Sequence, residues 1–361
     1  MVSVRTILFI LLGIQLVSCV KETTVTLRRE KPILVVEGSI TTDSLPYSIR
    51  LTYSGPLESG INIPDEYLEK EATVKITDDQ GKTATLVYKG QGLYETTDPA
   101  YIGTPGRTYT VTIVLKNGKT YTSRPEKMPV AVPLNNIEVD YNERFNYLVP
   151  TTLDVSVGLT DPASEENYYK WSFYSYTMRK TPGVSCGFGC VNFEYCYQKI
   201  VDTSFRILSD ATVNGNEIKK YPVGKSYVYW YGDHFIDISQ QSLTRGAFQF
   251  WRSYQEQLTR TGSLLDPLPA SIKGNVFNAA DEADFALGYF SAVSVTHKRA
   301  VLIPFGITQY IIDRTAQQFV PMQSVICFQY FINTISYPPP PAKQYPDPPG
   351  WENAQRIEVR W

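Results

Sequence analysis

Few side chains in this 361-residue chain have the types and spacing to do chemistry: there are 2 His and 5 Cys. His234 lies in Tyr231-Gly232-Asp233-His234-Phe235-Ile236-Asp237. Asp233, His234 and Asp237 are of types that hold a divalent cation, but acidic residues in a turn are more often simply solvated, and that reading is favoured here. His297 stands at a strand end beside Lys298-Arg299. Nucleophilic catalysis needs a base such as His within reach of Ser or Cys. The sequence has no G-x-S-x-G elbow, H-E-x-x-H helix or phosphate loop. Asp78-Asp79-Gln80-Gly81 invites a calcium reading but lacks the ligand spacing and closing Glu of an EF-hand; a hairpin turn explains it better. Carboxylate pairs for sugar cleavage assemble only in the fold and stay open. The expectation is no catalytic residue, no metal and no cofactor.

The cysteines divide as one plus four. Cys19 closes an apolar run; Cys186, Cys190, Cys196 and Cys327 remain, an even number that suits an oxidising compartment. Of three connectivities we favour Cys186–Cys190, closing the loop Gly187-Phe188-Gly189, with Cys196–Cys327 joining two strands. A four-thiolate zinc site is the alternative, and C-x3-C-x5-C with a remote fourth Cys matches the usual paired spacings poorly.

Balanced charge, 34 Lys+Arg against 36 Asp+Glu, leaves no basic excess to draw the chain onto phosphate backbones, so a nucleic-acid partner is not expected. Aromatic side chains are the better lead, with 26 Tyr among them. Tyr168, Tyr169, Trp171, Phe173, Tyr174 and Tyr176 crowd one strand, and Tyr227, Tyr229 and Tyr231 share one face of another. A two-sided buried sheet is the plainer use for them; those left outside a core would suit stacking on a glycan or packing on a peptide.

The elements that must position these groups read as strands. Tyr47 to Tyr53, Ala72 to Ile76, Ala84 to Tyr88 and Tyr109 to Leu115 alternate apolar and polar residues, as half-buried strands do. Lys116-Asn117-Gly118-Lys119 predicts a hairpin with a type I′ turn, which needs φ > 0 at both central residues. Together they predict mainly β structure, with an immunoglobulin-like sandwich over 32–130 ending in the Pro-rich stretch Pro125–Pro133. A larger β-rich second domain is expected over 134–361. It carries one prominent amphipathic helix near 240–261, capped by Ser239 or Ser242 and closed by Gly262, with an apolar stripe of Leu243, Ala247, Phe250, Trp251, Tyr254 and Leu258. Pro338 to Pro349 reads as an extended arm.

The N-terminus predicts an address. Ile7 to Val17 is apolar, too short to span a bilayer but of signal-peptide length. Leu16-Val17-Ser18-Cys19 resembles a bacterial lipobox, which implies a signal over 1–18, lipidation of Cys19 and a tether over 19–31. Several acyl chains exceed the two-signal threshold for stable anchoring.

A wider resemblance rests on Leu34-Val35-Val36-Glu37-Gly38-Ser39-Ile40-Thr41, the helix with Phe250-Trp251, and Gly262 to Pro269. It also rests on Ile272-Lys273-Gly274-Asn275-Val276 and Leu287-Gly288-Tyr289-Phe290-Ser291-Ala292. With the lipobox, their order and spacing resemble the Bacteroidota lipoprotein family called domain of unknown function 4249. The resemblance implies an outer-membrane location and a TonB-dependent transporter as partner. It supplies no activity and no binding residues. Gly274 and Gly288 have plain structural uses, a bend and a close approach.

Overall fold

The computed structural model describes residues 32–55, 63–142, 151–180, 195–228, 233–259, 272–304, 324–328, 351 and 353–359. The signal and tether, Cys19, Cys186, Cys190, Tyr229, Tyr231, Gly262 and Pro338 to Pro349 lie outside them. The described residues are mainly β, with one α-helix and one turn of 3-10 helix. The first strands are β1 (Leu34–Thr41), β2 (Ser48–Tyr53), β3 (Thr73–Asp78), β4 (Thr83–Gly90), β5 (Leu93–Thr96), β6 (Thr108–Val114), β7 (Thr120–Ser123) and β8 (Glu126–Lys127). There follow β9 (Leu134–Asn142), β10 (Thr152–Thr160), β11 (Tyr168–Lys180), β12 (Tyr195–Ser209), β13 (Glu217–Tyr227) and β14 (His234–Leu243). Helix α1 spans Arg245–Leu258, and the chain continues through β15 (Lys273–Asn278), β16 (Asp281–Pro304), β17 (Ser324–Phe328) and β18 (Gln355–Val359).

Nine strands close into a barrel-like ring in the order β1-β2-β5-β4-β3-β6-β7-β15-β16, with β16 returning to β1. The strands expected to form an immunoglobulin-like sandwich over 32–130 are present, but they complete this ring only with β15 and β16 from the second region. Alternation explains the interior: Val36, Ile40, Ile49, Leu51, Val74, Ile76, Val111 and Ile113 are buried together with Phe290 and Ala292. Each Val, Ile, Leu or Phe among them contributes about 1.5–3 kcal/mol on burial. The closing seam is parallel, from Val35 opposite Leu287 to Thr41 opposite Val293. Gly288 has φ +81, and a Cβ there would collide with the Val36 carbonyl. A Cβ on Gly274 would in turn collide with the Gly288 carbonyl. Three backbones meet at this seam, and only glycine fits.

The hairpins fall where expected, with a different turn. At 115–119 the Gly118 amide donates to the Leu115 carbonyl at 2.9 Å and the Leu115 amide to the Lys119 carbonyl at 2.9 Å. Gly118 alone is left-handed, φ +83. This is a type I turn closed by a bulge glycine, not the predicted type I′ turn. Asp78 to Lys82 repeats the pattern with Gly81 at φ +83. The Asp78 side chain accepts hydrogen bonds from the amides of Gln80 and Lys82 within that turn.

The sheet leaves the ring along β16. Its C-terminal half pairs with β14, then β11, β12 and β17 follow, while β18 adds parallel on the other side. The three-stranded sheet β13-β10-β9 packs on this extension. Between them lie Leu153, Val155, Val157, Tyr169, Trp171, Phe173, Ile236, Ile238, Ala300 and Leu302. Many of the counted aromatics are therefore core. The buried Trp171 indole donates to Gln240 Oε1 at 3.0 Å, satisfying its polar end. Cys196 stands directly opposite Cys327 in the β12–β17 register.

Candidate functional site

The helix begins later than predicted, because Ser239 and Ser242 are held in the β14 ladder between β11 and β16. Thr244 takes the N-cap: its hydroxyl oxygen accepts from the Ala247 amide at 3.1 Å and its hydroxyl donates to Glu126 Oε2 at 2.6 Å. Glu126 is buried and also accepts from Tyr289 Oη at 2.6 Å and Asn275 Nδ2 at 3.2 Å. Burial raises its pKa against the opposing effect of these hydrogen bonds. The helix is thus tied at one end to a buried carboxyl of the ring.

Only part of the predicted apolar stripe enters a core. Leu243 and Ala247 are buried, as is Phe248, which stacks on Tyr168 at 4.9 Å between centroids. Phe250 and Trp251 are half-buried, while Tyr254 is 40 % and Leu258 59 % exposed. The stripe is wider than the surface beneath it, and the surplus aromatics wall a cavity of about 260 Å³.

Five elements contribute to that cavity. Strand β16 supplies Tyr289, Ser291 and Val293 from its outward row, and β1 supplies Glu37 and Ser39 across the seam. Lys170 on β11 stands opposite Gln241 on β14, and both reach it. Helix α1 contributes Phe250, Trp251 and Tyr254. Lys170 Nζ lies 4.0 Å from the Trp251 ring centroid and 5.9 Å from that of Phe205. Among the described residues no carboxylate or carbonyl pairs with it, and burial lowers its pKa to about 8. The same outward row of β11 continues to Tyr174 and Tyr176, which pack edge-on against Trp351. Neither Lys170 nor Glu37 stands out in the sequence. The signal for Lys170 is its parity: a cation on the outward row between Tyr168 and Tyr174, in the aromatic part of the strand.

A second polar cluster lies farther along the same outer face. Register places Tyr174, Asp237 and Arg299 side by side on β11, β14 and β16. Asp237 is 1 % exposed and accepts from Arg299 Nε at 2.6 Å, Tyr174 Oη at 3.2 Å and His297 Nδ1 at 2.9 Å. His297 Nε2 meets Asp43 Oδ2 at 3.0 Å. With carboxylates at both nitrogens, His297 is held as an imidazolium. The Asp237 hydrogen bond raises its pKa to about 9, against burial and with help from Asp43. Burial alone would raise the Asp237 carboxyl, but His297 and Arg299 outweigh it and hold it low. This cluster is a clamp, not a proton-transfer centre: neither nitrogen is free to accept a proton.

Strand parity separates the residues considered for a metal. His234 points inward, 1 % exposed, with Nδ1 2.8 Å from Ser226 Oγ; burial lowers its pKa to about 4. Asp237, three positions on, faces outward, and Asp233 pairs with Arg356 at 3.2 Å. Ser226 is also fully buried, so this Ser–His pair has no access to a substrate.

A search of curated proteins finds no significant match. The sequence model of the family described as Domain of unknown function (DUF4249) matches residues 20–299, a span that includes every residue lining the cleft. The chain belongs to that family.

Proposed function

We propose that this chain is a non-catalytic binding protein whose ligand site is the cleft beneath α1. The observation that carries the reading is an aromatic-walled cavity with an ammonium that no carboxylate or carbonyl pairs with among the described residues. This is the usual composition of a small-ligand site: apolar walls with a few convergent polar groups. Trp251 and Lys170 are its centre. Export and lipidation at Cys19 are part of the proposal and rest on the lipobox; placement in the outer membrane is proposed from the family resemblance. Docking on a TonB-dependent transporter is proposed from the family resemblance. A degradative surface enzyme is less well supported, since His297 is locked between two carboxylates and His234 is buried.

Screening the lipid-free protein against short peptides, oligosaccharides and small organic acids by thermal shift tests the cleft. A true ligand raises stability by RT ln(1 + [L]/Kd), about 2.7 kcal/mol at a hundredfold excess over Kd. Wild type should respond and Trp251→Ala should not. A response that survives Trp251→Ala would place the site elsewhere, and no response from any class would remove the reading. The anchor is tested by palmitate labelling, which Cys19→Ser should abolish, and the partner by co-purification of a barrel protein in detergent.

A further inference from the structure

We infer that the cleft takes its ligand by a carboxylate, seated on Lys170, with an apolar or aromatic body lying along Phe250, Tyr289 and Val293. This deepens the binding reading above and rests on it. An ammonium carries three N–H donors. At Lys170 one side of the group faces the Trp251 ring, and among the described residues none of the three donors is hydrogen-bonded. The cation–π contact favours the charged form but gives those donors no acceptor. A half-buried charge left so costs free energy that an incoming anion would recover.

The same geometry disfavours a sugar. Stacking on a sugar ring needs an open aromatic face, and Lys170 already covers one face of Trp251. Phe250, Tyr254 and Phe205 crowd that ring at 5.3, 5.8 and 5.5 Å between centroids. Glu37 then sets the charge of the ligand. It is exposed on β1 at the cavity wall, with no ion pair among the described residues, so one cation and one anion line the site. That balance suits a monoanion or a zwitterion and opposes a dianion such as a phosphate monoester. A cavity of about 260 Å³ holds a group the size of one large side chain with its carboxylate. Gln241, Ser39 and Ser291 leave neutral hydrogen-bonding groups for the rest.

Two sources share this chemistry, a free small acid and the C-terminus of a peptide. Calorimetric titration of the lipid-free chain with N-acetylphenylalanine, Ala-Ala-Ala-Phe, the amide of each, and maltotriose separates them. At least one acid should bind, and its amide should bind at least tenfold more weakly; preference between the two acids identifies the source. Lys170→Met, which keeps the stem, should lose at least tenfold for the acid, while Lys170→Arg should retain most of it. Unfolding curves check that both variants fold. Acid binding should also weaken as pH rises past about 8 in wild type and not in Lys170→Arg. Equal affinity for acid and amide, or for wild type and Lys170→Met, overturns the carboxylate inference and leaves a binding cleft standing. Binding of maltotriose in place of the acids overturns it likewise. If no probe binds and the wider screen also shows no response, the cleft reading falls with it.

Discussion

His297 offers the most direct test of how the polar clamp is built. The perturbation is His297→Gln, followed from pH 6 to pH 10. In the folded chain the imidazole pKa rises from 6.5 to about 9, through Asp237 first, against burial, and then through Asp43. At about 1.36 kcal/mol per pH unit, that rise would be worth about 3 kcal/mol in full. The side chain is 37 % exposed, however, so solvent screens the pair and about half of that, near 1.5 kcal/mol, is the reasonable expectation. A folded pKa above the unfolded one stabilises at low pH: the contribution is complete below about 6.5 and is lost as pH rises through about 9. Urea unfolding of both proteins at each pH gives the measurement, and subtracting the variant cancels the Tyr and Lys titrations common to both. The difference should be largest at pH 6 and fall by about 1.5 kcal/mol by pH 10. A difference that stays flat across the range, or grows with pH, would refute the imidazolium clamp.

Three further outcomes follow from the same packing. Gly288→Ala must place a Cβ against the Val36 carbonyl at φ +81, so it should cost more than about 3 kcal/mol in unfolding free energy; a cost below about 1 kcal/mol would mean the β1–β16 seam is not closed as described. Thr244→Ala removes both the α1 cap and a donor to buried Glu126, a loss of about 2–4 kcal/mol that Thr244→Ser should largely restore. Directly opposed residues of an antiparallel pair have Cα atoms about 4.5–5.5 Å apart, inside the range of about 4.4–6.8 Å that a disulfide needs. The register of Cys196 and Cys327 therefore favours the proposed bond between them. Non-reducing peptide mapping of the exported protein should find that pair linked; two free thiols, or Cys196 joined to Cys186 or Cys190, would contradict it.

What could be read from the sequence was local, and what could not was partnership. Alternation at Tyr109, Val111 and Ile113 states which side chains go inward, and all three are buried in the ring. It does not state what closes the ring. That closure joins β1 to β16 in parallel across most of the chain, and no local pattern records it. Asn117-Gly118 located a hairpin but not its loop length, and the extra residue changes the turn type. The helical stripe located α1 yet could not tell a core face from a cavity wall, since Phe250 and Trp251 would satisfy either. Lys170 was hidden by its neighbours. Tyr169 and Trp171 face the core between the sheets, and the one polar residue between them faces out.

The placement of the cleft follows from β16 being shared. Its inward row changes surroundings midway, from Phe290 and Ala292 in the ring to Ala300 and Leu302 in the core beneath the β13-β10-β9 sheet. The outward row, Tyr289 through Arg299, therefore has β1 beside it at one end and β14 at the other. Where the flanking strand changes, helix α1 is what covers that row among the described residues. Fourteen residues at 1.5 Å each make α1 about 21 Å long, and it is fixed at its N-terminal end through Thr244 and Glu126. Toward its other end Tyr254 and Leu258 are exposed. The cavity opens under that same side of the helix. Opposite charges reach the cavity from either side of β16's change of partner, Glu37 on β1 and Lys170 on β11, one strand beyond β14. A ligand spanning them would bridge the ring and the extended sheet at β16, which belongs to both.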